Sequence, residues 1–530
     1  MPCRCYKNTL LLVVLLLANW PANIFAAKND SIKKEIDAIA QLLPDKALGH
    51  DFIISRAMQS SDSYRVIQSE EQKLNMATTL AQIPTEGKIS IEAKDYTSRN
   101  EPTNPFSPFR QESQQIVIAG QKYFSSGTGL EAKLSRSKNA LKIGGSAPFS
   151  NSFYLTEGSV TLSQELWKDS FGHATRLGIE SAKTSDKALQ ETILDMKRNW
   201  QKDLRSLFYQ AWLLQNRLKE ANKIVDRREK LLDLTEVKTA RGTAERPDLL
   251  QVRSSLEQAK LQSNWLAQNL ADIWRNLVVV LDFPPRWLAV DPLLIPIKMD
   301  DPTALANRLC QIFAKQLEGP ELNLWLEHDI RLQSMKYNLE ATKQELEKAN
   351  GLANPSFKLF ASTITNGVDR EVGKSFNETT QFEHPAYAFG FNVSMPISFL
   401  AEKAQQQKAR ADYTRSEANY RLTLDQIKVN WINRCQDFQR LKNHLASVKT
   451  IVEKQVERGQ LEKRRYQVGR TNLYQALLAE DDLATSIIQE KETLINLNIT
   501  AWDLIMMAED GRTYTKSMES KQWNFPTINL

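Results

Sequence analysis

Glycine and proline are scarce in this chain and unevenly placed. Each occurs 19 times in 530 residues, and neither occurs between Ile179 and Arg241 or between Ile397 and Arg458. Runs of about 60 residues without a backbone breaker exclude the frequent turns of an all-β domain and read as helices of about 90 Å. Cysteine is scarcer still. Cys3 and Cys5 fall in the first few residues, so only Cys310 and Cys435 remain, too few for a disulfide-stapled scaffold. That pair is open to two readings: buried thiols, or one bond made in an oxidising compartment.

Chemistry-bearing residues are equally thin. The five histidines, His50, His173, His328, His384 and His444, have no metal-ligand spacing. Neither a Gly-rich phosphate loop nor a nucleophile elbow occurs. The sequence therefore offers no catalytic residue, cofactor site or metal site, and an enzyme is not expected. The formal charge of +6 falls to about +4 without Arg4 and Lys7 and is interspersed with acids, so there is no basic block for nucleic acid. No segment approaches ~20 uninterrupted apolar residues, which excludes a transmembrane helix.

What the chain does contain is one order of parts, twice. Residues 1–27 read as a signal peptide: Arg4 and Lys7, then the apolar Leu10 to Ala18, then Ile24-Phe25-Ala26-Ala27. A polar lead-in follows over residues 28–50. The first repeat, 51–284, is a helix, strands, the first long helix, a turn near Gly242 and a return helix. A Pro-rich connector spans 285–321. The second repeat, 322–510, has a helix, strands at 356–366 and 386–396, the second long helix, a turn near Gly469 and a return helix. Residues 511–530 form a polar tail.

The strand Ala386 to Met395 carries the clearest pattern. Tyr387, Phe389, Phe391 and Val393 alternate with Ala388, Gly390, Asn392 and Ser394. Large apolar against small polar over about ten residues suits a barrel strand with lipid outside and water inside. Open sheet edges are not tolerated in lipid, so a few strands per copy require closure across subunits.

The chain resembles the TolC-like outer-membrane efflux proteins (outer membrane factors). The segments that carry the resemblance are Leu162-Ser163-Gln164-Glu165-Leu166-Trp167 with Phe171-Gly172, the first turn Arg241-Gly242-Thr243 with Asp248-Leu249-Leu250, and the second turn Val468-Gly469-Arg470-Thr471-Asn472 with Gln475-Ala476-Leu477-Leu478. The resemblance implies a mainly α fold with membrane β-barrel strands. In it a homotrimer joins a long-helix periplasmic tunnel to a shared antiparallel barrel of four strands per copy, each chain holding two internal structural repeats. It places the chain in the cell outer membrane, extending into the periplasm. There it would be the passive exit duct of a tripartite efflux or type I secretion system, without a cofactor. The implied partners are a periplasmic adaptor (membrane fusion protein), an inner-membrane pump and outer-membrane lipid.

By position, Arg241, Gly242, Thr243, Val468, Gly469, Arg470 and Thr471 would dock the adaptor, and Asp248, Gln475 and Leu478 would surround the periplasmic aperture. Gln475 and Leu478 replace acids usual in the family, while Glu480, Asp481 and Asp482 lie further along. Because four strands are implied, the additional hairpin Gln115 to Ser135 is expected outside the barrel. A periplasmic structural or adaptor coiled-coil protein is the alternative, although such an adaptor would have one long hairpin rather than two.

Overall fold

A computed structural model describes residues 47–99, 108–143, 152–317 and 326–508. The signal peptide, most of the lead-in and the polar tail lie outside the described residues. The chain divides into two compact units. One comprises Glu71–Thr192 and Arg331–Asp425, the other Met1–Glu70, Ile193–Ile330 and Gln426–Leu530.

The breaker-poor stretches form the expected long helices. The helices in chain order are α1 His50–Ser60, α2 Asp62–Glu71, α3 Met76–Gln82, α4 His173–Ala240, α5 Arg246–Val280, α6 Thr303–Leu317, α7 Ile330–Leu352, α8 Val372–Thr380, α9 Leu400–Gln467 and α10 Leu473–Ala508. Both α4 and α9 have 68 residues, and the return helices α5 and α10 have 35 and 36. The segment 51–82, which reads as one helix, is three, interrupted at Ser61 and at Asn75, whose φ of 66° ends regular helix. Among the described residues no helix is long and apolar enough to cross a membrane.

The first unit holds a single antiparallel sheet. Its strands are β1 Lys88–Ser98, β2 Pro108–Tyr123, β3 Thr128–Ile143, β4 Ser152–Glu165, β5 Ser356–Asp369 and β6 Pro385–Ser394, side by side in chain order. The hairpin expected outside the barrel is therefore inside the sheet: β2 pairs with all of β1, and β3 pairs with β4. Gly120, Gln121 and Lys122 obscure this in the sequence. The register reveals why the hairpin belongs, since Ile91, Ile118, Leu134 and Gly158 form one row on one face.

That face carries exposed apolar residues on each of the six strands, with Ile89 at 80% and Phe389 at 81% exposure, although β5 also contributes Thr363, Thr365 and Gly367 to it. The opposite face presents Glu92, Lys133, Thr161, Ser362 and Asn392, together with the apolar Phe360, Ile364 and Val368 of β5. A sheet with one mostly polar face and one exposed, mostly apolar face has not buried its hydrophobic side against another layer.

The hairpin is also fixed to the sheet-to-helix junction. Gly127 in its turn and Gly172 before α4 have φ of 73° and 74°, and a Cβ on Gly172 would lie 2.0 Å from the carbonyl oxygen of Ser125. Only glycine permits both the conformation and the approach. Arg176 donates to the Ser125 carbonyl at 3.0 Å, and Asp169 accepts from the Thr175 amide at 3.0 Å.

The polar stretch Asn366 to Pro385, which reads as a loop, contains α8 instead. It lies on the apolar face over β4 and β5, where the Ser375 and Thr156 hydroxyls meet at 2.7 Å and Thr379 donates to the Thr156 carbonyl at 3.0 Å. Two small hydroxyl residues one turn apart make its inner side, a signal too weak to find in sequence. A groove of about 470 Å³ on the same face is lined by Ile89, Ile118, Val160 and Phe382.

In the second unit Cys310 of α6 and Cys435 of α9 form a disulfide across a sequence separation of 125. Beside it Phe313 stacks on Trp431 at 5.2 Å. Trp274 of α5 is buried and donates to the Trp287 carbonyl at 2.9 Å, which closes the connector over the helix end.

Candidate functional site

The two turns that end the long helices are copies of one motif. In the first, the Thr243 amide donates to the Lys238 carbonyl at 2.9 Å and the Gly242 amide to Thr239 at 3.0 Å. In the second, Arg470 donates to Arg465 at 2.8 Å and Gly469 to Tyr466 at 3.2 Å. Both glycines are left-handed, at φ 71° and 73°. A six-residue closing bond over a left-handed glycine satisfies the last helical carbonyls and reverses the chain. The return helices start by different means. Pro247 and Asp248 occupy the first turn of α5, whereas the Asn472 side chain accepts from the Gln475 amide at 2.9 Å.

Lys238 and Tyr466 hold the two turns side by side. The Lys238 ammonium donates to the Tyr466 carbonyl at 2.6 Å and lies 3.9 Å from the centre of its ring. The Tyr466 hydroxyl meets Thr235 at 3.1 Å. Val252, Leu473, Ala476 and Leu477 complete a small buried cluster with Tyr466. Arg241, Gly242, Thr243, Val468, Gly469 and Arg470 are all exposed above it, and Thr471 is half-buried. No Cβ-length neighbour lies within 4 Å of either turn glycine. Asp248 and Leu478 are half-buried and Gln475 is exposed.

The acids further along α10 are ion-paired, although Asp481 itself is 54% exposed. Asp481 pairs with Arg228 of α4 at 2.5 Å, Asp482 with Arg458 of α9 at 2.6 Å, and Glu480 lies 3.9 Å from Arg227 of α4. Three consecutive residues thus tie one return helix to both long helices. Burial pushes the Glu480 carboxyl above the usual range, against the pull of Arg227, Lys463 and Arg228. Glu480 Oε2, Arg227 Nη2 and Arg228 Nε are buried without a hydrogen-bond partner. Arg227, Arg228, Arg458, Lys238 and Tyr466 are not legible as site residues in the sequence. The one available signal is the unbroken acid triplet itself.

His50, Asp51 and Asp300 are the one group of metal-ligand type among the described residues. The Arg205 guanidinium donates to His50 Nε2, which places the imidazole proton on Nδ1, 3.3 Å from Asp51 and 3.9 Å from Asp300. That nitrogen is a donor to carboxylate rather than a ligand to a cation. Tyr387, Phe389, Phe391 and Val393 all lie on the exposed apolar face, between 53% and 81% exposed.

A sheet with one exposed apolar face, interleaved with two pairs of long and return helices, is the fold of outer-membrane channels. The chain is similar to the outer membrane protein VceC from Vibrio cholerae, at 14% identity and a TM-score of 0.61, covering 87% of this chain and 95% of that one. It is similar to the CmeC outer membrane channel of Campylobacter jejuni, at 13% and 0.62 over 89% of each chain. The open-state MtrE outer membrane channel of Neisseria gonorrhoeae matches at 13% and 0.59, over 87% of this chain and 88% of that one. No protein-family model and no curated protein matches the sequence. At these identities the likeness is one of fold.

Proposed function

We infer that the protein is an outer-membrane exit duct, assembled from three copies, that passes cargo without consuming energy. The observation that carries this reading is the sheet: apart from the part of β4 and β5 under α8 its apolar face is exposed, and among the described residues both of its edges are unpaired. Lipid is the solvent that such a face suits, and closure with other copies is the remedy for such edges. The long helices would form a periplasmic tunnel, and the outer-membrane channels of the same fold agree with this location.

The paired turns would dock the hairpin of a periplasmic adaptor belonging to a tripartite efflux or type I secretion system. Opening would then separate α10 from α4 and α9. The buried, incompletely bonded charges of Glu480, Arg227 and Arg228 favour such a motion, because water would satisfy them once the helices part.

The turn glycines provide the test. Gly242→Val and Gly469→Val place a side chain in open space, at a backbone cost of about 1–2 kcal/mol each. Export should be lost while the trimer and its membrane insertion remain. Export at the unaltered level would refute the docking assignment, and recovery of the unaltered protein as a soluble periplasmic monomer would refute the duct.

A further inference from the structure

We propose that this chain builds a barrel wall of six strands per copy, closed by β6 of one copy pairing antiparallel with β1 of the next. Eighteen strands then surround the lumen of a trimer. The proposal rests on the duct reading above, and it adds the position of the subunit seam and the width of the pore.

The seam follows from the registers. The row through Lys88 at the start of β1 crosses the sheet by way of Gln121, Glu131, Thr161 and Ser362 and reaches Ala388 on β6. Ser394, the helix-side end of β6, lies six residues further on. The helix-side ends of the strands therefore rise by six residues from β1 to β6, which over six strands, the seam included, is one residue per strand. In a ring of identical copies β1 recurs at its own height, so β6 meets the neighbouring β1 after a shift of six residues.

That shift opposes Ser394 to Lys88 of the next copy and gives nearly complete overlap of the 10-residue β6 with the 11-residue β1. Without the shift, Tyr387 would face Ile89 and much of each edge would stay unpaired. Six is even, so every side chain keeps its face. Val393 would oppose Ile89, Phe391 would oppose Ile91 and Phe389 would oppose Ala93 on the apolar side. Aromatic residues beside β-branched ones are favourable cross-strand pairs.

The geometry is consistent with a closed barrel. One residue of stagger per strand corresponds to a tilt of about 35°, at the lower end of the range for membrane barrels. An even number of strands per copy also leaves β1 and β6 antiparallel, as the seam requires. At that tilt eighteen strands give a backbone diameter of about 34 Å, against about 22 Å for twelve. The hairpin β2–β3 would thus widen the duct by about half, enough for bulkier cargo than a four-strand wall admits.

Paired cysteines in the full chain, oxidised in intact outer membranes, test the seam and the strand count together. Ile91→Cys with Phe391→Cys should cross-link between copies into a closed oligomer, whereas Ile89→Cys with Tyr387→Cys, which reports the unshifted register, should not. Ala132→Cys with Val160→Cys should cross-link within one copy in the same membranes, which places the hairpin in the wall. Cross-linking of the unshifted pair, a β1–β6 bond within one chain, or no 132–160 bond in an inserted oligomer would each overturn the proposal. Absence of any inserted oligomer would instead refute the duct reading.

Discussion

Lys238, four residues before the first turn glycine, donates to the main-chain carbonyl of Tyr466, three residues before the second. One side chain thereby joins the ends of α4 and α9, 228 residues apart in sequence. Lys238→Met keeps most of the aliphatic stem but removes the ammonium and its contact with the ring. A charge-assisted bond of this kind contributes about 1.5–3 kcal/mol. The tip should loosen, and limited trypsin digestion near Arg241 and Arg470 should accelerate by at least several-fold. Tyr466→Phe, which keeps the ring and the carbonyl, should have a smaller effect. Equal digestion of all three proteins would refute the linking role.

The acid triplet yields an ordered series. The Arg228 side chain is 9% exposed, while Arg458 and Asp482 are 40% and 38% exposed. Asp481 is itself 54% exposed and Arg228 keeps its bond to the Ser255 carbonyl, so Asp481→Asn should cost about 1–2 kcal/mol and Asp482→Asn no more than about 1 kcal/mol. Chemical denaturation of the purified assembly measures both. Raised salt should reduce the second cost more than the first.

Burial raises the Glu480 carboxyl, so the packed tip binds a proton more readily than a tip in which α10 has moved into water. By linkage, protonation favours the packed form. Acidification from neutral pH through the raised pKa should lower the open fraction, and a rise in pH should increase it. Single-channel recordings across that interval measure the fraction. In Glu480→Gln, which is neutral throughout, this pH dependence should disappear, and its persistence would exclude Glu480 as the source.

The disulfide closes a long loop between the connector and α9. Its loss should destabilise the second unit by between about 2 and 5 kcal/mol. A non-reducing peptide map should recover Cys310 joined to Cys435, and the melting temperature should fall on reduction. Cys310→Ser should melt like the reduced protein, and reduction should leave its melting temperature unchanged.

The sequence by itself determined the longest helices and the clearest strand, but neither the breaks within 51–82 nor α8. Absence of glycine and proline is a local property, and it sets the two 68-residue helices to within about ten residues, although each helix also runs through one glycine, Gly178 or Gly459. Alternation is equally local, so Tyr387, Phe389, Phe391 and Val393 are legible as one face of one strand. The left-handed glycines at both turns follow from helix-end chemistry. Within the sheet, residues with weak individual alternation, such as Gly120 to Lys122, were readable only once a neighbour had fixed their register.

Tertiary structure alone decided the pairings. Lys238 and Tyr466 are 228 residues apart, Arg228 and Asp481 are 253 apart, and the disulfide spans 125. No window of sequence encodes such separations, because the partner is chosen by which helix faces are pressed together. The same holds for the hairpin β2–β3. Its strands have the composition of several possible surfaces, and its place in the sheet is fixed by the row from Ile91 through Ile118 to Leu134 and by the contact of its turn with Gly172.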